Sequence, residues 1–199
     1  MSLVVVPTGT ANTASIFAAL RRLGADPVTA GDRTQVDTAD RVVLPGVGSF
    51  GAAMSEIDRR GLREALAKRV EEGRPTLAVC VGMQLLAATS EESTGVDGLS
   101  VIEGEVRRFP GTVRVPQMGW NRVTVPGSGI RFLTDGWAYF ANSYRMVDVP
   151  RGWAGASTDH GGSFVAAIER GDVLACQFHP ELSGPWGSGV LARWLGRAT

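Results

Sequence analysis

Thr76-Leu77-Ala78-Val79-Cys80-Val81-Gly82-Met83-Gln84-Leu85-Leu86-Ala87-Ala88 is the stretch that decides the fold. Its first four residues are a short apolar run, with Gly73 as a stop upstream, and they predict a buried strand over 76–79. A helix is expected to resume over 82–88, so Cys80 falls on the turn between strand and helix. A buried strand feeding a helix is the unit from which parallel sheets are built. Working toward the N-terminus, Leu62, Leu66 and Val70 recur at helical spacing in 61–72. A strand is predicted over 41–44, followed by a glycine-rich turn over 45–51. Another strand is predicted over 3–6, and Asn12 or Thr13 can cap a helix with Ile16, Phe17, Leu20 and Leu23 on one face, which Gly24 stops. Toward the C-terminus the pattern changes. From about 101 strand-like runs dominate, at 113–115, 122–125, 138–140, 164–168 and 173–178, before a closing helix near 188–195. With no repeat, low-complexity tract or linker between the halves, residues 1–199 read as one α/β domain with a mixed sheet.

Bulk composition agrees with one compact domain, because 199 residues with 44% apolar content can bury a full core. Twenty Lys plus Arg balance twenty Asp plus Glu, so net charge draws the chain to neither nucleic acid nor a membrane surface. The apolar run at 3–6 has no basic region before it and meets Pro7 at once, as a first strand would rather than a signal peptide. No run approaches the ~18 apolar residues of a membrane span. Two cysteines cannot form a disulfide framework, and a thiol chemistry suits a reducing compartment, so a cytoplasmic location is expected.

A thiol on a tight strand-to-helix turn is held out from the backbone, and the positive end of the helix favours its thiolate. Free cysteines are also common as small buried apolar residues, and position alone leaves that reading open for Cys80. Only His160 and His179 can serve as a general base. His160 lies in the loop-like Asp159-His160-Gly161-Gly162, where a solvated role is the plain reading. His179 ends the apolar run 173–178 and is followed by Pro180 and Glu181, whose carboxylate can fix the imidazole tautomer and stabilise the imidazolium. Cys80, His179 and Glu181 therefore form a testable nucleophile, base and orienter. Pro45-Gly46-Val47-Gly48 offers peptide N–H groups for an oxyanion, although the same residues suit a tight turn after a strand. The few, scattered cysteines and histidines lack zinc spacing, and Gly46-Val47-Gly48 without a following Lys-Ser/Thr is no phosphate-cradling loop. No metal and no cofactor are expected.

Leu77-Ala78-Val79-Cys80-Val81-Gly82-Met83-Gln84 and Gln177-Phe178-His179-Pro180-Glu181 together resemble the class I glutamine amidotransferases. Within that superfamily the sequence is most similar to the glutaminase subunits of imidazole glycerol phosphate synthase. Leu44-Pro45-Gly46-Val47-Gly48-Ser49-Phe50, Ser90-Glu91-Glu92-Ser93, Pro116-Gln117-Met118-Gly119-Trp120-Asn121 and Tyr139-Phe140-Ala141-Asn142-Ser143-Tyr144 carry that likeness, in family order across nearly the whole chain. The resemblance implies a flavodoxin-like three-layer fold: a mostly parallel central sheet flanked by helices, with extra antiparallel strands in the C-terminal half. It implies that Cys80 attacks the glutamine side-chain amide, that His179 shuttles the proton, and that a glutamyl thioester forms before water releases glutamate. Gly46, Val47, Gly48 and Val81 would then supply the oxyanion hole, and Gln84, Glu92, Ser143 and Tyr144 would join Gly48 in lining the glutamine pocket. Asn12, Met118, Trp120, Asn121, Tyr139 and Leu182 would face the cyclase (synthase) subunit in a heterodimer that receives the ammonia in histidine biosynthesis. From the residues alone, Gln84 and Glu92 read equally as exposed polar positions, and Tyr144 and Trp120 as core aromatics. A glutaminase serving another synthase and a catalytically idle regulatory subunit are the competing readings. The chain departs from the family pattern at Ala78, commonly glycine; at Asn142, usually histidine; at Gln117; at Leu182, where a basic residue is common; and loosely over 7–12.

Overall fold

A computed structural model of the protein describes residues 1–9, 13–46, 48–127 and 129–197. Along the chain these form β1 (Leu3–Val5), α1 (Ala14–Arg22), β2 (Pro27–Thr29), α2 (Arg33–Thr38), β3 (Arg41–Leu44), α3 (Phe50–Arg59), α4 (Arg63–Glu71), β4 (Thr76–Val79) and α5 (Val81–Gln84). There follow β5 (Ala87–Ser90), β6 (Ile102–Arg108), β7 (Gln117–Val123), β8 (Gly136–Asn142), β9 (Tyr144–Arg145), β10 (Ala154–Asp159), β11 (Ser163–Arg170), β12 (Val173–Cys176), a 3₁₀ turn at Pro180–Leu182 and α6 (Gly184–Trp194).

Seven strands make the central sheet in the order β10-β11-β12-β4-β3-β1-β2. The pairs from β12 through β4, β3 and β1 to β2 are parallel, while β10, β11 and β12 pair antiparallel. The mixed, mostly parallel sheet expected from the alternating first half and strand-rich second half is therefore present. Strands β4 and β12 are buried at every position, as strands covered on both faces must be. Helices supply the cover through apolar stripes: Ile16, Ala19 and Leu20 on α1, Phe50, Ala53, Met54 and Ile57 on α3, and Val190, Leu191 and Trp194 on α6. All these residues belong to one core. Outside the sheet, β5, β6 and β9 form a small three-stranded sheet and β7 pairs with β8 as an antiparallel ribbon.

Three local expectations are corrected. The helix expected over 82–88 is the single turn α5, after which the chain enters β5. Leu99 N–H takes the Leu85 carbonyl, and the N–H groups of Val101 and Ile102 both take that of Leu86, so those carbonyls have better partners than a continuing helix. Residues 113–115 are not a strand: Val113 N–H turns back to the Pro110 carbonyl, Pro116 has no N–H for a ladder, and pairing begins at Gln117. The closing helix starts at Gly184 rather than near 188, because Pro185 in its first turn forfeits an N–H that would have had no partner there. Strands β2, β6, β9 and β10 and helices α2 and α3 were not anticipated in the sequence.

Candidate active site

The order β12-β4-β3 puts three carboxyl ends side by side: Cys176 leading to His179, Val79 leading to Cys80, and Leu44 leading to Pro45-Gly46. Ligands of open parallel sheets bind along this edge, where loops from neighbouring strands converge. Cys80, His179 and the glycine-rich turn, distant in sequence, meet there because their strands are hydrogen-bonded neighbours.

Cys80 is buried and has φ 54° and ψ −112°, a backbone setting that a non-glycine residue adopts only when its surroundings impose it. Its N–H donates to the Cys176 carbonyl at 2.7 Å, ending the ladder with β12, and its carbonyl accepts from Gln84 N–H at 3.2 Å, starting α5. The elbow lies so close to β3 that a Cβ on Gly82 would overlap the Leu44 carbonyl, and one on Gly46 would overlap Gly82 N. Ala78, by contrast, keeps its Cβ within the sheet, paired with Ala175 and Leu44, so the family's usual glycine is not needed there.

His179 Nδ1 lies 2.9 Å from Glu181 Oε1, and both side chains are almost entirely buried. Burial opposes a charge on the imidazole, but hydrogen bonds to the Cys80 and Glu181 side chains, with their negative charge, outweigh it and raise the His179 pKa to about 10. The backbone of His179 is held as firmly. Its N–H donates to the Tyr139 carbonyl at 2.9 Å, Ser183 Oγ donates to its carbonyl at 2.6 Å, and Tyr139 N–H donates to Ser183 Oγ at 2.9 Å. Ser183 was not singled out in the sequence.

Of the residues expected to make an oxyanion hole, Val81 directs its N–H at the Gly46 carbonyl, 3.4 Å away, and so is not free for substrate. Gly48 has φ 98°, a conformation open to glycine. Val47 lies outside the described residues, as does Asn12.

Among the residues expected to bind glutamine, Gln84 is buried and donates through Nε2 to the Tyr144 carbonyl at 3.0 Å and to Gln177 Oε1 at 2.9 Å. Gln177 was quoted only as part of a motif, yet its Nε2 donates to Cys80 Sγ at 3.7 Å. Ser143 gives its carbonyl to Phe109 N–H. Glu92 accepts from Phe50 N–H at 2.6 Å, and Ser93 Oγ accepts from Gly51 N–H at 3.0 Å, tying the 90–93 loop to the start of α3. His160 stands apart, bonded through Nε2 to the Arg114 carbonyl and edge-on to Phe109.

The β7-β8 register sorts the expected partner-facing residues. Met118 pairs with Ala141, Trp120 with Tyr139 and Arg122 with Trp137, so these share one face of the ribbon. Met118, Trp120 and Trp137 are 67%, 54% and 58% exposed, and Leu182 nearby in sequence to His179 is 46% exposed. Trp120 and Tyr139 rings meet edge to face at 6.2 Å. Asn121 lies on the opposite face, donating to the Asp159 carbonyl and accepting from Arg122 N–H. Trp137 was missed: strand alternation puts it on the face of Tyr139, but only the β7-β8 register sets that face beside Trp120.

The family model for glutamine amidotransferase class-I matches residues 4–196. Imidazole glycerol phosphate synthase subunit HisH of Symbiobacterium thermophilum is 40% identical over 195 residues, covering 96% of this chain and 92% of that protein. The chloroplastic imidazole glycerol phosphate synthase hisHF of Arabidopsis thaliana is 44% identical over 197 residues, covering 94% of this chain but 33% of that longer protein. A crystal structure of a glutamine amidotransferase matches the fold with a TM-score of 0.77 at 22% identity, covering 97% of each chain.

Proposed function

This chain belongs to the class-I glutamine amidotransferase family, and from that premise we propose that it is the glutaminase subunit of an imidazole glycerol phosphate synthase, acting in histidine biosynthesis. In this reading residues 1–199 are one amidotransferase domain that hydrolyses L-glutamine to L-glutamate and ammonia. The ammonia passes to a cyclase subunit that forms imidazole glycerol phosphate and AICAR.

The observation that carries the reading is the convergence of Cys80, on its strained elbow, with a His179 whose Nδ1 is held 2.9 Å from Glu181. The Cys80 thiolate attacks the side-chain amide carbon, and charge moves to the amide oxygen. His179, protonated, gives its proton to the departing ammonia, leaving a glutamyl thioester. Neutral His179 then takes a proton from water as it attacks the thioester, and glutamate leaves as Cys80 is regenerated. Glu181 keeps Nδ1 as the donor side so that Nε2 handles these protons. Side chains and peptide groups carry every step.

The Val81 N–H bond to the Gly46 carbonyl supports a resting state in which the oxyanion hole is incomplete. A rearrangement of 45–48 would release that donor, and docking of the cyclase subunit on the Met118, Trp120, Trp137 and Tyr139 face, with Leu182 at its edge, is the proposed trigger. Glutaminase rates with and without the cyclase test this, with strong stimulation expected; equal turnover would remove the switch. Cys80→Ala should abolish hydrolysis in the complex, and retained activity would overturn the nucleophile.

A further inference from the structure

Gln177 is fully buried where β12 runs toward His179, and nothing in the reaction above uses it. Its carboxamide sits in a chain of hydrogen bonds whose polarity can be worked out from one end. The Tyr144 carbonyl can only accept, so the Gln84 atom 3.0 Å from it must be the NH₂ group. That same NH₂ lies 2.9 Å from the Gln177 carboxamide, so the Gln177 atom facing it must be the oxygen. Gln177 is thereby forced to turn its own NH₂ toward Cys80 Sγ, at 3.7 Å. Asn142 Nδ2 also donates to the Tyr144 carbonyl, at 3.0 Å, so two donors hold the origin of the chain in place. A backbone carbonyl remote from the thiol thus dictates that Gln177 presents a donor, and not an acceptor, to the sulfur, which itself faces the Ala141 carbonyl at 3.9 Å.

We propose that Gln177 is a positioning residue for Cys80, holding the sulfur in line for attack and favouring its anionic form through an amide donor whose direction is fixed by Gln84 and the Tyr144 carbonyl. The proposal rests on the reading of Cys80 as the nucleophile. A donor to sulfur interacts more strongly with thiolate than with thiol, so its removal slows any reaction that needs the thiolate. The same chain occupies both hydrogens of Gln84 Nε2, which fixes the orientation of that carboxamide as well.

Gln177→Met keeps length and flexibility while removing the donor. The test is the pH dependence of iodoacetamide alkylation of Cys80 in the isolated chain, followed by mass spectrometry, together with kcat and KM for glutamine in the cyclase complex. Alkylation at neutral pH is expected to slow about tenfold with its midpoint moved to higher pH, and kcat to fall more than KM changes. A purely structural role would lower the thermal midpoint without moving the alkylation profile, and an unmoved profile in a folded variant overturns the proposal. If Gln177→Met does not fold, Gln84→Met, read by alkylation alone, breaks the chain one link away; a smaller slowing in the same direction is expected, and none overturns the proposal. The alkylation arm needs no glutaminase activity, so a wild-type complex that fails to hydrolyse glutamine counts against the proposed function while leaving this test intact.

Discussion

Replacing Glu181 by Gln should lower the titration midpoint of His179 by an amount that follows from its surroundings. The imidazole is raised from 6.5 to about 10 against the cost of its own burial, which corresponds to about 5 kcal/mol favouring the imidazolium. The neighbouring Cys80 and Glu181 side chains supply it. Glu181 supplies part of it through one charge-assisted hydrogen bond, a class of interaction worth about 1.5–3 kcal/mol, so the variant's midpoint falls clearly below that of wild type. The side chains of His179 and Glu181 are only 7% and 6% exposed, so solvent screens the pair little. Because the folded pKa lies above the ordinary value, the stabilisation is complete below about pH 6.5 and disappears as pH rises through about 10. Wild type should therefore lose several kcal/mol of stability between pH 6.5 and 10, and Glu181→Gln about 1.5–3 kcal/mol less. The chain has two histidines, so nitrogen-15 NMR of the imidazoles, assigned with a substitution at His160, reads the midpoint directly. Chemical denaturation across the same pH range checks the stability, and kcat in the complex should fall by about 10²–10⁴ as the tautomer is lost. A wild-type midpoint near 6.5, or a variant midpoint equal to wild type, would refute the reasoning.

A Cβ on Gly82 meets the Leu44 carbonyl of the neighbouring strand, which cannot swing aside as a side chain could; Gly82→Ala should cost about 3 kcal/mol or more, read as a lower urea midpoint, together with most of the glutaminase activity. Trp120→Ala and Trp137→Ala remove large exposed aromatics from one face of the β7-β8 ribbon; each should weaken cyclase binding by about 2–4 kcal/mol in calorimetry, and unchanged affinity would move the interface elsewhere. Buried Arg69 donates to the carbonyls of Val36, Asp40 and Pro75; Arg69→Met leaves those acceptors short of donors, and a loss of about 2–4 kcal/mol in urea denaturation is expected.

Legibility in the sequence followed the range of the forces involved. β1, β3, β4 and β12 stood out because a strand buried on both faces reads as a continuous apolar run. Helix α3 carried its signals too, with Ser49 as N-cap and Phe50, Ala53, Met54 and Ile57 at helical spacing, but the preceding glycines drew the reading toward a turn. Nothing in 82–88 announces that α5 stops after one turn, since its end is decided by N–H groups from 99–102. Strand alternation could have paired Trp137 with the Trp120 face and set Asn121 against it, had the β7-β8 register been known.

By itself the sequence determined the class of fold, through the succession of apolar runs and helical spacings along the chain, and also the strand-to-helix turn at Cys80 and the pairing of His179 with Glu181, which join residues within a few positions of one another. Tertiary structure alone decided three things. It set β4 between β12 and β3, so that the thiol meets its base on one side and Gly46 on the other. It turned the Val81 N–H toward the Gly46 carbonyl. It also ran a hydrogen-bond chain from the Tyr144 carbonyl through Gln84 and Gln177 to Cys80. Each of these joins groups far apart in sequence, and a hydrogen bond's partner is chosen by what the folded chain brings within about 3 Å of it, not by its neighbours along the backbone.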